Sequence, residues 1–450
     1  MPKTVSHINK NTYNSLLKEN VFFGKWEYLI VFIGTIYSII FLVGRGNPVI
    51  SYVGVTLFVL ISVLLKPKNL VYFIVFLLPN QRFFTLYDND ISLLNIVIIF
   101  ALFKILFNRI KITQTQFIFV LVLLIYSIVS TYKIDNFSNV FIAVKASFLI
   151  ILLLLVFKNN VNNASWYFNL VLLFALGSML TGIIGLFTAD NFVLGLYNRF
   201  SGGDYNNANI FGSMLSFSIA NLFVIHLRSK QKNINTLALI FVLVLFGFMT
   251  QSRSFVLAVF FGIVYLTFFS LIINKKINLS ILLVLLIGFG VGTFIYLYPN
   301  SNISKLFYFA LDRILNPKSG DITASRFYIW TVYSEKLFSD IGSLFFGVGS
   351  SNPHFILGLS QVAHNGLIEL IVSWGIIGST LFIFFFINIW RWLNRSFNIR
   401  KTKKWLWRFV GYLPLLILII VRITGHSIVD IAFIVQLFIS YQAILVCRYE

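Results

Sequence analysis

Residues 361–395 read QVAHNGLIELIVSWGIIGSTLFIFFFINIWRWLNR, and this stretch decides the class of fold. From Gly366 to Trp390 the one charged side chain is Glu369, and basic residues take over at Arg391 and Arg395. A helix rises about 1.5 Å per residue, so this run crosses a hydrocarbon core of roughly 30 Å. Comparable apolar segments fall at 27–44, 49–65, 70–86, 91–108, 115–131, 138–157, 165–187, 207–227, 234–250, 254–273, 278–298, 408–424 and 427–446. The chain of 450 residues is 58% hydrophobic, 18% aromatic and only 11% charged, where a soluble protein carries about 25% charged residues. So few charges do not cover a water-facing surface of this size, which excludes a soluble globular enzyme. The expected fold is all-α: a polytopic membrane bundle of about fourteen transmembrane helices with both termini on one side. The third segment is the weakest, because Pro79 interrupts it and Asn80, Gln81 and Arg82 follow.

The net charge of +21 then reads as an orientation signal, because cytoplasmic loops accumulate Lys and Arg. Placing the N-terminus in the cytoplasm puts the basic groups Lys66 and Lys68, Lys104 to Lys111, Lys158, Arg228 to Lys232, Lys275 and Lys276, and Arg391 to Arg408 on one side. Only Glu19, Glu27 and Glu450 join them, and the opposite side is nearly neutral. The charge is thereby accounted for without nucleic acid, and no nucleic-acid partner is expected. The reading gives a cytoplasmic N-terminal tail (1–25) followed by a retained first helix, transmembrane helices 1–11 (26–298), a long extracytoplasmic loop (299–365) and transmembrane helices 12–14 (366–446). Loops longer than about 12–15 residues are usually functional or disordered. In this one, 304–315 and 324–338 carry apolar residues at helical spacing, Phe327, Trp330, Tyr333 and Leu337 among them, so two short helices are expected on or near the outer membrane surface.

Ionisable residues in or beside a spanning segment are costly and mark functional sites by default. Here they gather at the outer ends of helices. Arg199 opens RFSGGDYNNANIFG (199–212), whose glycines and amides suit a turn into a helix start, where backbone N–H groups bind anions. An ordinary capped loop with a snorkelling arginine has the same pattern. Arg253 sits in QSRSFVLA (251–258), a tight outer hairpin. Its guanidinium either binds phosphate oxygens in a fork or anchors the helix at the interface. His364 and Asn365 close the long loop. Histidine is the usual general base near neutral pH, although a lone histidine is more often structural. Glu369 follows one turn later and either orients His364 or acts separately. Further candidates are Arg326 and Trp330 in the second loop helix, Arg422 with His426 and Asp430 around the last outer turn, and Lys145 inside the sixth segment. The sequence carries no HExxH, no GxxxxGK[ST], no Rossmann fingerprint and a single cysteine, Cys447.

The motifs RFSGGDYNNANIFG (199–212), QSRSFVLA (251–258), SRFYIW (325–330), LFFGVGSS (344–351) and AHNGLIELIVSWGIIG (363–378) together resemble the O-antigen ligase and Wzy-type polysaccharide polymerase superfamily. The resemblance covers roughly residues 165–390. One departure is Ala208, where many relatives carry proline. The resemblance implies a GT-C-like membrane fold and a metal-independent glycosyltransferase with no cofactor. It implies a donor that is an undecaprenyl-diphosphate-linked oligosaccharide, presented at the outer leaflet of the plasma membrane. Arg199 and Arg253 would hold the diphosphate and His364 would activate or orient the acceptor hydroxyl, with Arg326, Asn365, Glu369, Trp330, Arg422 and Lys145 as substrate-binding candidates. A flippase and a chain-length regulator are the implied protein partners. The expected activity is polymerisation of repeat units into O-antigen, capsule or exopolysaccharide. A ligase differs only in passing the glycan to a lipid A core or a protein. A lipid-linked oligosaccharide flippase is the rival from another class, but transporters place charged sites near the midplane, whereas these residues crowd one face.

Overall fold

The computed structural model describes residues 24–43, 48–80, 164–188, 208–228, 234–274, 326–348, 357–359, 363–395, 406–423 and 431–448, with Phe200 and a few other single positions. Among them every regular element is helical: α1 (Lys25–Val43), α2 (Pro48–Leu64), α3 (Pro67–Leu77), α4 (Ala164–Thr188), α5 (Ala208–Arg228), α6 (Ile234–Met249), α7 (Arg253–Asn274), α8 (Arg326–Ser339), α9 (Ile341–Phe346), α10 (Gly366–Arg395), α11 (Leu406–Ile423) and α12 (Ile431–Arg448). Three described stretches are long and apolar enough to cross a membrane, Ala164–Phe187, Ala208–Arg228 and Gly366–Asn388, while α6, for example, is a shorter apolar helix. The protein is thus an all-α, membrane-type bundle. The segments expected at 91–108, 115–131, 138–157 and 278–298 lie, apart from single positions, outside the described residues. So does the loop helix expected at 304–315.

Helix α5 is the centre, touching α4, α6, α7, α11 and α12. It carries serine and asparagine at buried positions, which hydrocarbon tolerates only if every polar group is satisfied. Ser216 and Ser218 donate to the carbonyls of Gly212 (2.8 Å) and Met214 (2.9 Å) in their own helix. Across to α4, Tyr167 Oη donates to Asn221 Oδ1 at 3.0 Å, and the Ser178 and Ser218 hydroxyls share a 3.1 Å bond. Helix α3 reaches α4 where Gly177 lets the Phe76 carbonyl lie against its backbone, and any Cβ there would overlap that oxygen. Close approach over a small residue is how helices associate in lipid, where packing replaces the hydrophobic effect. Pro79 ends α3 in a 3₁₀ turn (Leu78–Asn80), and Asn80 Oδ1 accepts from Thr181 Oγ1 at 2.7 Å.

Helix α1 is tied to α4 by a buried polar pair: Asn169 Nδ2 donates to Glu27 Oε1 at 2.8 Å. Both residues lie at the helix ends that the charge pattern assigns to one side. The same holds for Tyr265 Oη donating to the Phe409 carbonyl (2.7 Å) and, on the other side, Ser252 Oγ donating to Asn209 Oδ1 (3.1 Å).

Helix α10 differs from its sequence reading. It is broken at Gly375, whose φ of 66° and ψ of −179° belong to a region essentially reserved for glycine. Its lower half packs on α12 through Tyr441 Oη, which donates to the Phe386 carbonyl at 3.3 Å, and through Trp390 on Tyr441 at 5.3 Å between ring centroids. Between α10, α11 and α12 runs an apolar groove of ≈ 520 Å³, lined from Leu367 and Leu370 at one end to Trp390 and Tyr412 at the other.

Candidate functional site

Three helix starts converge on one face. The α6–α7 hairpin is the first. Thr250 Oγ1 accepts from the Ser252 amide at 3.2 Å and donates to the Gly247 carbonyl at 2.6 Å, while Gln251 takes a left-handed φ of 48°. This tight, buried turn fixes Arg253 as the first residue of α7, with its side chain half-buried. The start of α5 locks onto the same turn: Ser252 Oγ bonds Asn209, and Gly212 leaves room for Ser252, whose Oγ would lie 3.3 Å from an added Cβ. The described run 208–212 of the first motif is therefore a neighbour of 251–258. Phe200 joins them, its amide donating to the Met249 carbonyl at 3.3 Å and its ring meeting Phe211 and Phe246. Arg199 itself lies outside the described residues.

The second start is α8, opened by Arg326, which is also half-buried. Burial, and then the positive guanidinium of Arg253 nearby, lower the Arg326 pKa from its ordinary value. Two cations thus lie near one another on different helices, each at a helix N-terminus with its own partial positive charge, an arrangement suited to an anion. One turn along, Trp330 Nε1 donates to the carbonyl of fully buried Ala363 at 2.8 Å. That bond joins α8 to the third start.

There the chain turns into α10. His364 adopts φ 51°, uncommon for a residue with a side chain. Asn365 is the N-cap, its Oδ1 accepting from the amides of Leu367 (3.0 Å) and Ile368 (3.3 Å). The turn is thus pinned by Trp330 on one side and by the cap on the other, and the half-buried His364 is presented between them. Glu369, one turn on, lies in the electrostatic neighbourhood of Tyr333 of α8. Burial and then the Glu369 charge push the Tyr333 hydroxyl up from its usual range.

The structure brings Arg253, Arg326, Trp330, His364, Asn365 and Glu369 into one neighbourhood through α7, α8 and α10. Within it Asn365 has a capping job and Trp330 a linking one. Arg422 lies apart: it is buried in α11, Nη2 donates to Gln436 Oε1 at 3.1 Å, and its guanidinium stands 5.6 Å over the Phe433 ring. It ties α11 to α12. Lys145, His426 and Asp430 lie outside the described residues. Sequence reading did not single out Tyr333 as a site residue, though its place seven residues after Arg326 puts both on the buried face of α8. No protein-family model matches the chain, and no curated protein matches it either.

Proposed function

We propose that the protein is a membrane glycosyltransferase that polymerises oligosaccharide repeat units carried on undecaprenyl diphosphate, at the outer leaflet of the plasma membrane. The observation that carries this reading is that Arg253 and Arg326 open two helices near one another, the second joined through Trp330 to the turn that presents His364. In this scheme an acceptor hydroxyl attacks the anomeric carbon of the donor sugar as the anomeric C–O bond to the diphosphate breaks. The diphosphate leaves with the bonding electrons, from the face opposite the attack, and inverts the linkage. Arg253, Arg326 and, by resemblance, Arg199 neutralise its developing charge, a task for fixed cations that is the largest single term in many enzymes. His364 takes the proton of the attacking hydroxyl, and Glu369 with Tyr333 positions the turn. The isoprenoid chain lies along the apolar groove, whose lining includes Leu367 and Leu370 on either side of Glu369 in the sequence.

The deciding experiment is an assay with purified protein in nanodiscs, lipid-linked repeat unit as sole substrate, and EDTA present. A series of longer lipid-linked glycans, lost with Arg253→Ala, Arg326→Ala or His364→Ala, supports a metal-independent polymerase. No product until a core acceptor is added identifies a ligase instead. Movement of the lipid across liposomes with no transfer in either case means transport, and the proposal fails.

A further inference from the structure

Helices α8 and α9 descend alongside the first half of α10. Trp330 bonds the carbonyl of Ala363, Tyr333 packs in one buried cluster with Val372, and the end of α9 meets Ser373 and Gly375. The last contact is backbone on backbone. Val348 donates its amide to the Val372 carbonyl at 2.8 Å, and a Cβ on Gly347 or on Gly375 would overlap the opposite chain. Counting from Arg391 at about 1.5 Å per residue, Gly375 stands about 24 Å up a core of roughly 30 Å. The end of α9 is therefore inside the hydrocarbon layer, not above it.

The side chains agree with that depth. Phe338 and Ile341 are 70% and 68% exposed, and Phe345 and Phe346 are about half exposed. Facing water, this run would be an aggregation-prone patch. Facing acyl chains, it needs no cover. The backbone agrees as well. Irregular chain at membrane depth is tolerated only where protein satisfies its polar groups. Here Val348 uses the Val372 carbonyl beside the break in α10, and Gly347 N–H donates to Ser343 at 2.8 Å.

We propose that α8–α9 is a re-entrant element whose apolar face, Phe338, Ile341, Phe345 and Phe346, lies among the lipid acyl chains of the leaflet where α10 begins. Its partner is the bilayer itself. The element holds Arg326 at headgroup level from below, so that anything bound there arrives from the membrane plane. This rests on α10 crossing the membrane and not on the chemistry proposed above.

The test uses the full chain with Cys447→Ala and single cysteines at Ile341 or Phe345, spin-labelled in proteoliposomes. Leu57, half-exposed on α2, serves as the lipid-facing control and Lys25 as the aqueous one. The expected result is greater collision with oxygen than with a water-soluble nickel chelate at both sites, as at Leu57. Equal or greater collision with nickel, as at Lys25, overturns the proposal. If Phe345→Cys fails to fold, Ile341→Cys, a highly exposed position, decides alone. The readout is depth, so loss or retention of glycosyl transfer has no bearing on it.

Discussion

Gly347 and Gly375 meet backbone to backbone, each at positive φ, and neither position has room for a Cβ. The segment after α9 is thereby seated in the break of α10, so that α8, α9 and α10 form one unit.

An alanine at either glycine carries two penalties, the disfavoured φ at about 1–3 kcal/mol and a backbone overlap on top. Gly358 provides the comparison, since it has φ +69° but open space around it. Thermal unfolding in detergent should show Gly375→Ala and Gly347→Ala strongly destabilised and Gly358→Ala lowered by only about 1–2 kcal/mol. Equal effects at all three would mean the close contact is not needed.

Arg253→Lys and Arg326→Lys keep the charge and lose the planar fork that matches phosphate oxygens. Turnover should fall about tenfold to a hundredfold for the lysines and by about 10²–10³ for the alanines, the scale seen when one charge-stabilising donor is removed. The measure is rate with the lipid-linked substrate. Full activity in Arg326→Ala would remove that residue from the site.

Asn365 and His364 are adjacent but separable. Asn365→Ser or Asn365→Asp keeps the cap and should retain activity. Asn365→Ala should cost about 1 kcal/mol of stability. His364→Ala should abolish transfer while leaving the melting temperature near that of the parent. Activity lost in the serine and aspartate variants would assign Asn365 a direct part in the chemistry.

Removing the indole donor with Trp330→Phe leaves the buried Ala363 carbonyl unsatisfied, a penalty of about 1–3 kcal/mol. Proteolysis between α7 and α10 should quicken. An unchanged cleavage rate would show that other contacts suffice to hold α8.

For Arg422 the expectation is stability without specificity. Arg422→Ala should cost about 1.5–3 kcal/mol, the worth of a hydrogen bond to a charged group, with substrate KM unchanged in the folded fraction. A raised KM would return Arg422 to the list of substrate contacts.

The long apolar helices were legible because runs such as 366–390 can satisfy their backbone without water only as helix. The second loop helix was legible too, since Phe327, Trp330, Tyr333 and Leu337 repeat at helical spacing, and it was found at Arg326–Ser339. What hydropathy does not carry is the break at Gly375, because a glycine in an apolar run scores like its neighbours. The bond from Ser252 to Asn209 joins residues 43 apart, and no local pattern encodes it. Charge alone also did not separate Arg326 from Arg422. One sits at a helix start near a second cation, the other is engaged by a glutamine, and only the packing of α8 and α12 distinguishes them.

The bond between Glu27 and Asn169 spans 142 positions of chain, and that distance is also a time. At about 5–20 residues per second, Asn169 is synthesised about 7–28 seconds after Glu27. Through that interval the first helix carries a carboxylate for which hydrocarbon offers no partner, so it waits with Glu27 at the aqueous boundary. Arrival of α4 brings the amide that completes the pair. This one pair of side chains at the beginning of the protein is therefore completed only after the middle has been made.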